Sequence, residues 1–225
     1  MMMTQINWAE FAYPIILSLK VAVVSSIFVL LIGGLAAWGM SRRNFRGKTL
    51  LETTFLLPLV LPPTVVGFIL LVLLGKRSWI GYLMENFFNQ SIIFTWGAAV
   101  IASIVVAFPL VYQTMKTGFS SVNKDLEDAG RSTGANEWQV LRYITLPLAW
   151  RSFTTAYILG FARGLGEFGA TLMIAGNIPH KTQTLPTAIY MAVESGDLTL
   201  AWCWAAAIIM ISFGLLLFAN HKTKS

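Results

Sequence analysis

Three observations predict an all-α, polytopic membrane protein of five spans. The first is composition: 56% of the 225 residues are hydrophobic and only 12% are charged, against roughly 25% charged in soluble domains. The second is a set of five apolar runs, each near the ~20 residues a helix needs to cross a hydrocarbon core. The third is the placing of the basic residues, most of which gather on one side of those runs. A mean hydropathy of +0.68 spreads the apolar excess along the chain. The length suits one bundle with short connections, so a single transmembrane domain over 1–225 is expected.

The first run, Pro14–Met40, ends at Arg42, Arg43, Arg46 and Lys48, a strong cytoplasmic anchor. Residues 1–13 carry no Lys or Arg, only Glu10. The run also exceeds the roughly 7–15 apolar residues of a signal-peptide core, so it reads as a true span with its N-terminus outside. Trp8, Phe11 and Tyr13 suit an interfacial segment ahead of it. The second run, Thr54–Leu74, holds Pro58, Pro62 and Pro63. Each removes a helical hydrogen bond and crowds the preceding turn; a static kink and a conformational hinge both remain open. The third run, Ile92–Met115, leads into a connection with Lys116, Lys124, Arg131, Arg142 and Arg151. The fourth, Phe153–Ala175, contains Arg163 and Glu167. The fifth, Leu198–Ala219, is followed by Lys222 and Lys224. The opposite side holds Lys20, Lys76, Arg77 and Lys181, with Asn177–Asp197 its longest connection. This bias places the C-terminus inside. It accounts for the net charge of +6 without a nucleic-acid partner.

No catalytic constellation is visible. Cys203 is the single cysteine, so neither an internal disulfide nor a cysteine metal site is expected. His180 and His221 are isolated, and no metal site is expected. Gly47-Lys48-Thr49 resembles the end of a phosphate-binding loop, but that motif needs glycine where Arg42 stands, and no apolar strand precedes it. A nucleotide site on this chain, and hence an enzyme, is not expected.

The connection of about 120–148 is more informative. It reads Leu126-Glu127-Asp128-Ala129-Gly130-Arg131-Ser132-Thr133-Gly134-Ala135 and continues to Ile144-Thr145-Leu146-Pro147. By composition it is a solvated helical linker. By spacing it resembles the cytoplasmic motif of bacterial importer permeases: E-A-A, three residues, G, nine residues, I, one residue, L-P. Asp128-Ala129-Gly130 takes the first part, Gly134 the glycine, Ile144 the isoleucine and Leu146-Pro147 the end. Asp replaces Glu, and Gly replaces the second Ala. The resemblance implies a type I ATP-binding-cassette importer permease whose loop forms a coupling helix in a groove of a separate ATPase. Glu127, Asp128, Ala129, Gly130, Gly134, Ala135, Leu146 and Pro147 would make that contact, with ATP and Mg held by the partner and no cofactor on this chain.

A second segment narrows the family. Gly164 to Pro179, then Lys181-Thr182-Gln183-Thr184-Leu185-Pro186 and Ala188-Ile189-Tyr190, resembles the molybdate permease subunits. So does Leu57-Pro58-Leu59-Val60-Leu61-Pro62-Pro63-Thr64-Val65-Val66-Gly67. Sulfate and thiosulfate permeases share parts of it. The resemblance implies a homodimer in a bacterial or archaeal cytoplasmic membrane, two ATPase subunits, and an extracytoplasmic binding protein delivering molybdate or tungstate. A secondary transporter or channel is the alternative of a different class; it would have no need of the cytoplasmic motif.

The same residues have a physical reading. Arg163 and Glu167 stand four apart, on one helix face. Each charge near mid-bilayer costs about 2.5–3.5 kcal/mol, so both should face the bundle or a wet cavity and pair. A translocation path or gate would draw on Arg163, Gly166, Glu167, Phe168, Gly169, Thr171, Pro62, Pro63 and Thr64; polar adhesion between helices fits Arg163 and Glu167 as well. Gly160, Gly164 and Ala170 offer small surfaces for close helix packing.

Overall fold

The computed structural model describes residues 8–88 and 91–224. Among them every regular element is helical. Three helices are long and apolar enough to cross a membrane: α1 (Trp8–Arg42), α5 (Trp96–Ser120) and α12 (Leu198–Lys224), whose qualifying portion is Leu198–Leu217. Two bent pairs supply the rest. Helices α2 (Lys48–Val60) and α3 (Pro63–Leu74) meet at 114°, and α9 (Trp150–Leu165) and α10 (Gly169–Ala175) at 60°. Counting each pair as one crossing gives the five spans the sequence predicts.

Short helices fill the connections. These are α4 (Trp79–Phe88), α6 (Lys124–Ser132), α7 (Glu137–Val140), α8 (Leu146–Leu148) and α11 (Leu185–Glu194), with a π-turn at Leu141–Thr145. Helix α1 lies at the centre, packed on α5, α9, α11 and α12. Glycines set the closest approaches. A Cβ on Gly33 would lie 3.2 Å from Val111; one on Gly160 would lie 3.0 Å from Val111 and 3.2 Å from Val29; one on Gly164 would lie 2.8 Å from Ser25 Oγ. Without a driving force from water, helices in lipid gain from such close packing. One apolar cluster joins Val29, Ala37, Val111, Tyr112 and Met115 toward the Arg42 end of α1, and a second joins Val21, Val66, Leu70, Ala102 and Ile174 toward the other.

The structure departs from the sequence reading in three places. Trp8, Phe11 and Tyr13 belong to α1 itself, not to a separate segment: Phe11 stacks on Trp204 at 6.1 Å, and Tyr13 packs edge-on to His180 at 5.3 Å. The connection 177–197 folds α11 against α12, with Leu185, Ala188 and Ala192 buried. Pro186 sits in its first turn, where proline is tolerated. The fourth run is not one helix but breaks at Gly166-Glu167-Phe168.

Candidate functional site

The loop after α5 is built residue by residue for a fixed shape. Asn123 caps α6, its Oδ1 accepting from Asp125 N at 3.0 Å. Gly134 ends α6 with φ +90°. Its N–H donates to Arg131 O at 2.9 Å, and Ala135 N–H donates to Gly130 O at 3.2 Å. This is the Schellman closure, which needs a left-handed residue that glycine supplies at least cost. Asn136 then caps α7 reciprocally with Gln139, at 2.9 and 2.8 Å.

Charges bind this loop to itself and to α1. Glu127 points inward and is buried. Its Oε1 takes a hydrogen bond from Arg42 Nη2, at the last residue of α1, and another from Thr145 Oγ1 at 2.7 Å. Arg42 Nη2 also donates to Thr145 Oγ1 at 2.9 Å. Arg131 clasps Glu137 at 2.6 Å and also pairs with Asp128. The hydrogen bond from Arg131 is the main reason the Glu137 carboxyl titrates below its ordinary range, and the two carboxylates hold the guanidinium proton more firmly.

These positions sort the loop residues the sequence singled out. Asp128, Ala129, Gly134 and Pro147 lie exposed. Ala135 and Leu146 are half-buried. Glu127 does not face outward as a contact residue, because its carboxylate is taken up by Arg42 of α1 and by Thr145. Gly130 is small for an internal reason too: a Cβ there would come within 2.5 Å of Ile144 Cδ1. The outward apolar surface comes instead from Leu126, Trp138 and Tyr143. Sequence reasoning passed over Arg42, Arg131, Glu137 and Thr145. Arg42 read only as a topology anchor, and nothing local marks the contact across 85 residues.

The second locus lies within the span region. The two helix breaks interlock. A Cβ on Gly67 would stand 2.8 Å from Ala170 Cα, and one on Gly169 would stand 3.1 Å from Pro63 Cβ and 3.3 Å from Thr64 N. Arg163 Nη1 lies 2.7 Å from Glu167 Oε2. Glu167 Oε1 accepts from Ala170 N at 2.9 Å, capping α10. The carboxylate is thus shared between the end of one helix and the start of the next. The Glu167 side chain is only 1% exposed while that of Arg163 is 28% exposed. Pro62, Pro63, Thr64 and Gly166 are exposed on that region of the surface; Glu167, Gly169 and Thr171 are buried in packing; Phe168 is half-buried against Tyr190, rings 5.3 Å apart. Among the described residues, no group of three His, Cys, Asp or Glu could hold a metal ion.

A family model described as "Binding-protein-dependent transport system inner membrane component" matches residues 29–222. The chain belongs to this family. Similar relatives include a putative molybdenum transport system permease protein, YvgM, of Bacillus subtilis, 57% identical over 97% of this chain and 96% of that one. The molybdenum transport system permease protein ModB of Escherichia coli is 40% identical over 87% of this chain and 83% of its own. A probable sulfate transport system permease protein of Chlorella vulgaris is 36% identical over 88% of this chain and 73% of its own. Two solved transporters share the fold at low identity. One imports the acidic polysaccharide alginate (TM-score 0.76, 16% identical, 96% of this chain and 79% of that one). The other is a methionine ATP-binding-cassette transporter (TM-score 0.71, 15% identical, 99% and 98%). The chain is therefore an inner-membrane permease component of a binding-protein-dependent transport system.

Proposed function

We propose that this permease carries molybdate into the cytoplasm as the membrane half of an ATP-driven importer. The observation that carries the substrate is the 57% identity, over nearly all of both chains, to a putative molybdenum permease. Identity to the sulfate relative is lower. Tungstate, a tetrahedral dianion of nearly the same size, would follow the same route. One permease domain, with its N-terminus outside and its C-terminus inside, pairs with a second copy. Two ATPase subunits, which hold ATP and Mg, dock on the exposed side of α6, and a binding protein delivers the oxyanion from outside. No nucleotide binds this chain.

The partly exposed Arg163 side chain supports the homodimer. A charge within a span avoids lipid and faces the bundle or a wet cavity. The α9 face that carries Arg163, and the exposed edge at Pro62, Pro63 and Thr64, thus belong against the second copy, along the translocation path. Alternating access needs a partner with different affinity for two conformations, and the ATPase supplies it. The test is uptake by vesicles holding the full complex, with molybdate, tungstate and sulfate compared. Molybdate uptake that depends on ATP and the binding protein is expected. Sulfate uptake without molybdate uptake overturns the substrate, and uptake without the ATPase overturns the mechanism.

A further inference from the structure

We propose that Arg42 is a positioning residue that delivers movement of the cytoplasmic loop to helix α1, as a charged pin between them. The inference rests on the permease reading above and goes beyond it, since neither the membrane topology nor the docking of an ATPase requires such a pin.

Arg42, Arg43, Arg46 and Lys48 form one basic cluster, yet they do different things. Arg43 and Arg46 are exposed, and Lys48 donates to nearby Asn44 at 3.2 Å. Arg42 alone among these four turns in, its side chain 17% exposed, to meet the buried Glu127. The partner carboxylate sits on α6, the element with the outward docking surface. Thr145 Oγ1 completes the junction at the end of the π-turn that leads back to α9. One carboxylate therefore joins three parts: the outgoing arm of the loop, its returning arm and the end of α1. π-Turns of this kind are frequent at functional sites.

The apolar contacts around the junction cannot do the same work. Met40, Phe119, Val122 and Leu141 belong to one cluster there, but dispersion contacts are non-directional. A charge-assisted pair with a shared hydroxyl fixes direction as well as distance. Helix α1 is the right recipient. It runs unbroken from Trp8 to Arg42 through Pro14, and it meets α9 at Gly160 and Gly164, within two turns of the break at Gly166. A displacement of α6 reaches the break through a single rigid element.

The test uses the full complex of permease, ATPase and binding protein in proteoliposomes. It compares Arg42→Gln with the double variant Arg42→Gln/Glu127→Gln, which leaves no lone buried charge. The readout is molybdate taken up per ATP hydrolysed by assembled complex. A pin predicts that both variants lose about tenfold in that ratio, within the usual range of coupling energies. A second readout follows the distance between spin labels at Arg43→Cys and Ser132→Cys in a Cys203→Ala background. The distance should stay constant through the ATP cycle in the parent and change with nucleotide in the double variant. If Arg42→Gln does not assemble, the double variant carries the test. A double variant with the parent's uptake per ATP overturns the pin and reduces the junction to folding. A parent complex that takes up no molybdate fails the function proposed above, a different result.

Discussion

The two bent spans reach similar ends by different chemistry. Between α2 and α3 the 114° turn falls at Leu61-Pro62-Pro63. Pro63 begins α3, where its missing N–H costs nothing, and the extended backbone at Leu61 follows from the proline after it. Between α9 and α10 the 60° turn contains no proline. It is held by Glu167, which caps α10 at Ala170 and pairs with Arg163 behind the break. The first break is written into local chain geometry. The second is held by side-chain contacts, through a buried carboxylate shared between Arg163 and the start of α10. A locally fixed break should tolerate loss of its neighbours; a contact-held break should not.

The largest effect expected is therefore at Arg163. Arg163→Leu leaves the Glu167 carboxylate buried without its cation, a loss of about 3–5 kcal/mol for broken buried pairs. Thermal unfolding in detergent should show the permease severely destabilised. Glu167→Gln should cost less, because its amide oxygen can still cap Ala170 and the freed Arg163 is partly open. The double change to neutral residues should be milder than the two single changes added. Strict additivity would mean that the two act separately and that the break is not contact-held.

Next in size is the interlock between the breaks. A Cβ on Gly67 would meet the Ala170 backbone at 2.8 Å, and backbone cannot swing aside as a side-chain end can. Gly67→Ala should cost about 1–3 kcal/mol by overpacking. Gly130→Ala, whose Cβ would meet only the tip of Ile144, should cost clearly less. Equal unfolding shifts for the two would remove the distinction between rigid and yielding neighbours.

The same division explains what could be read from the sequence. The proline break was legible because proline acts through its own ring. Gly134 was legible as the glycine of the cytoplasmic motif, while its left-handed backbone emerged only with the structure. The ion pair at Arg163 and Glu167 was legible from helix spacing and the cost of charge in lipid. The break beside that pair was not, since Gly166-Glu167-Phe168 is compatible with a continuous helix until Glu167 is seen to cap Ala170. The inward turn of Glu127 was illegible for a different reason: its partners, Arg42 and Thr145, lie 85 and 18 residues away. Helix α11 was missed because ten residues are too few to span and its burial depends on α1 and α12.

Gly134 sharpens the comparison outside the membrane, where local geometry again does the fixing. At φ +90° any side chain is strained, yet a Cβ would meet nothing within 4 Å. Gly134→Ala should destabilise the loop by about 1–2 kcal/mol, the usual left-handed penalty, and Gly134→Asn by less. In the isolated permease Gly134→Leu should resemble Gly134→Ala. In the assembled complex it should differ, with uptake and the ATPase response to loaded binding protein both lower, since leucine adds volume on the docking side. Identical uptake by the two would place Gly134 away from the ATPase groove.

The smallest effect expected is that of pH on the clasp between Arg131 and Glu137, the contact-held counterpart of the Gly134 turn. Arg131, through its hydrogen bond first and its charge second, lowers the Glu137 pKa. The sign follows from linkage: a carboxyl that is more acidic folded than unfolded stabilises above its unfolded pKa, and that contribution disappears as pH falls through the folded value. The clasp is therefore fully formed between pH 6 and 8, and only acid below the ordinary carboxylate range of about 4 to 4.5 opens it. Glu137 is exposed, so water screens the pair and its contribution is small. Amide exchange across residues 131–140, followed from pH 8 downward and corrected for intrinsic rates, should stay level to about pH 5 and rise only below that. Glu137→Gln should abolish the acid rise while barely changing protection at neutral pH. An equal rise in Glu137→Gln would assign it to another carboxylate, with Asp128 the next to test, since it shares the same guanidinium.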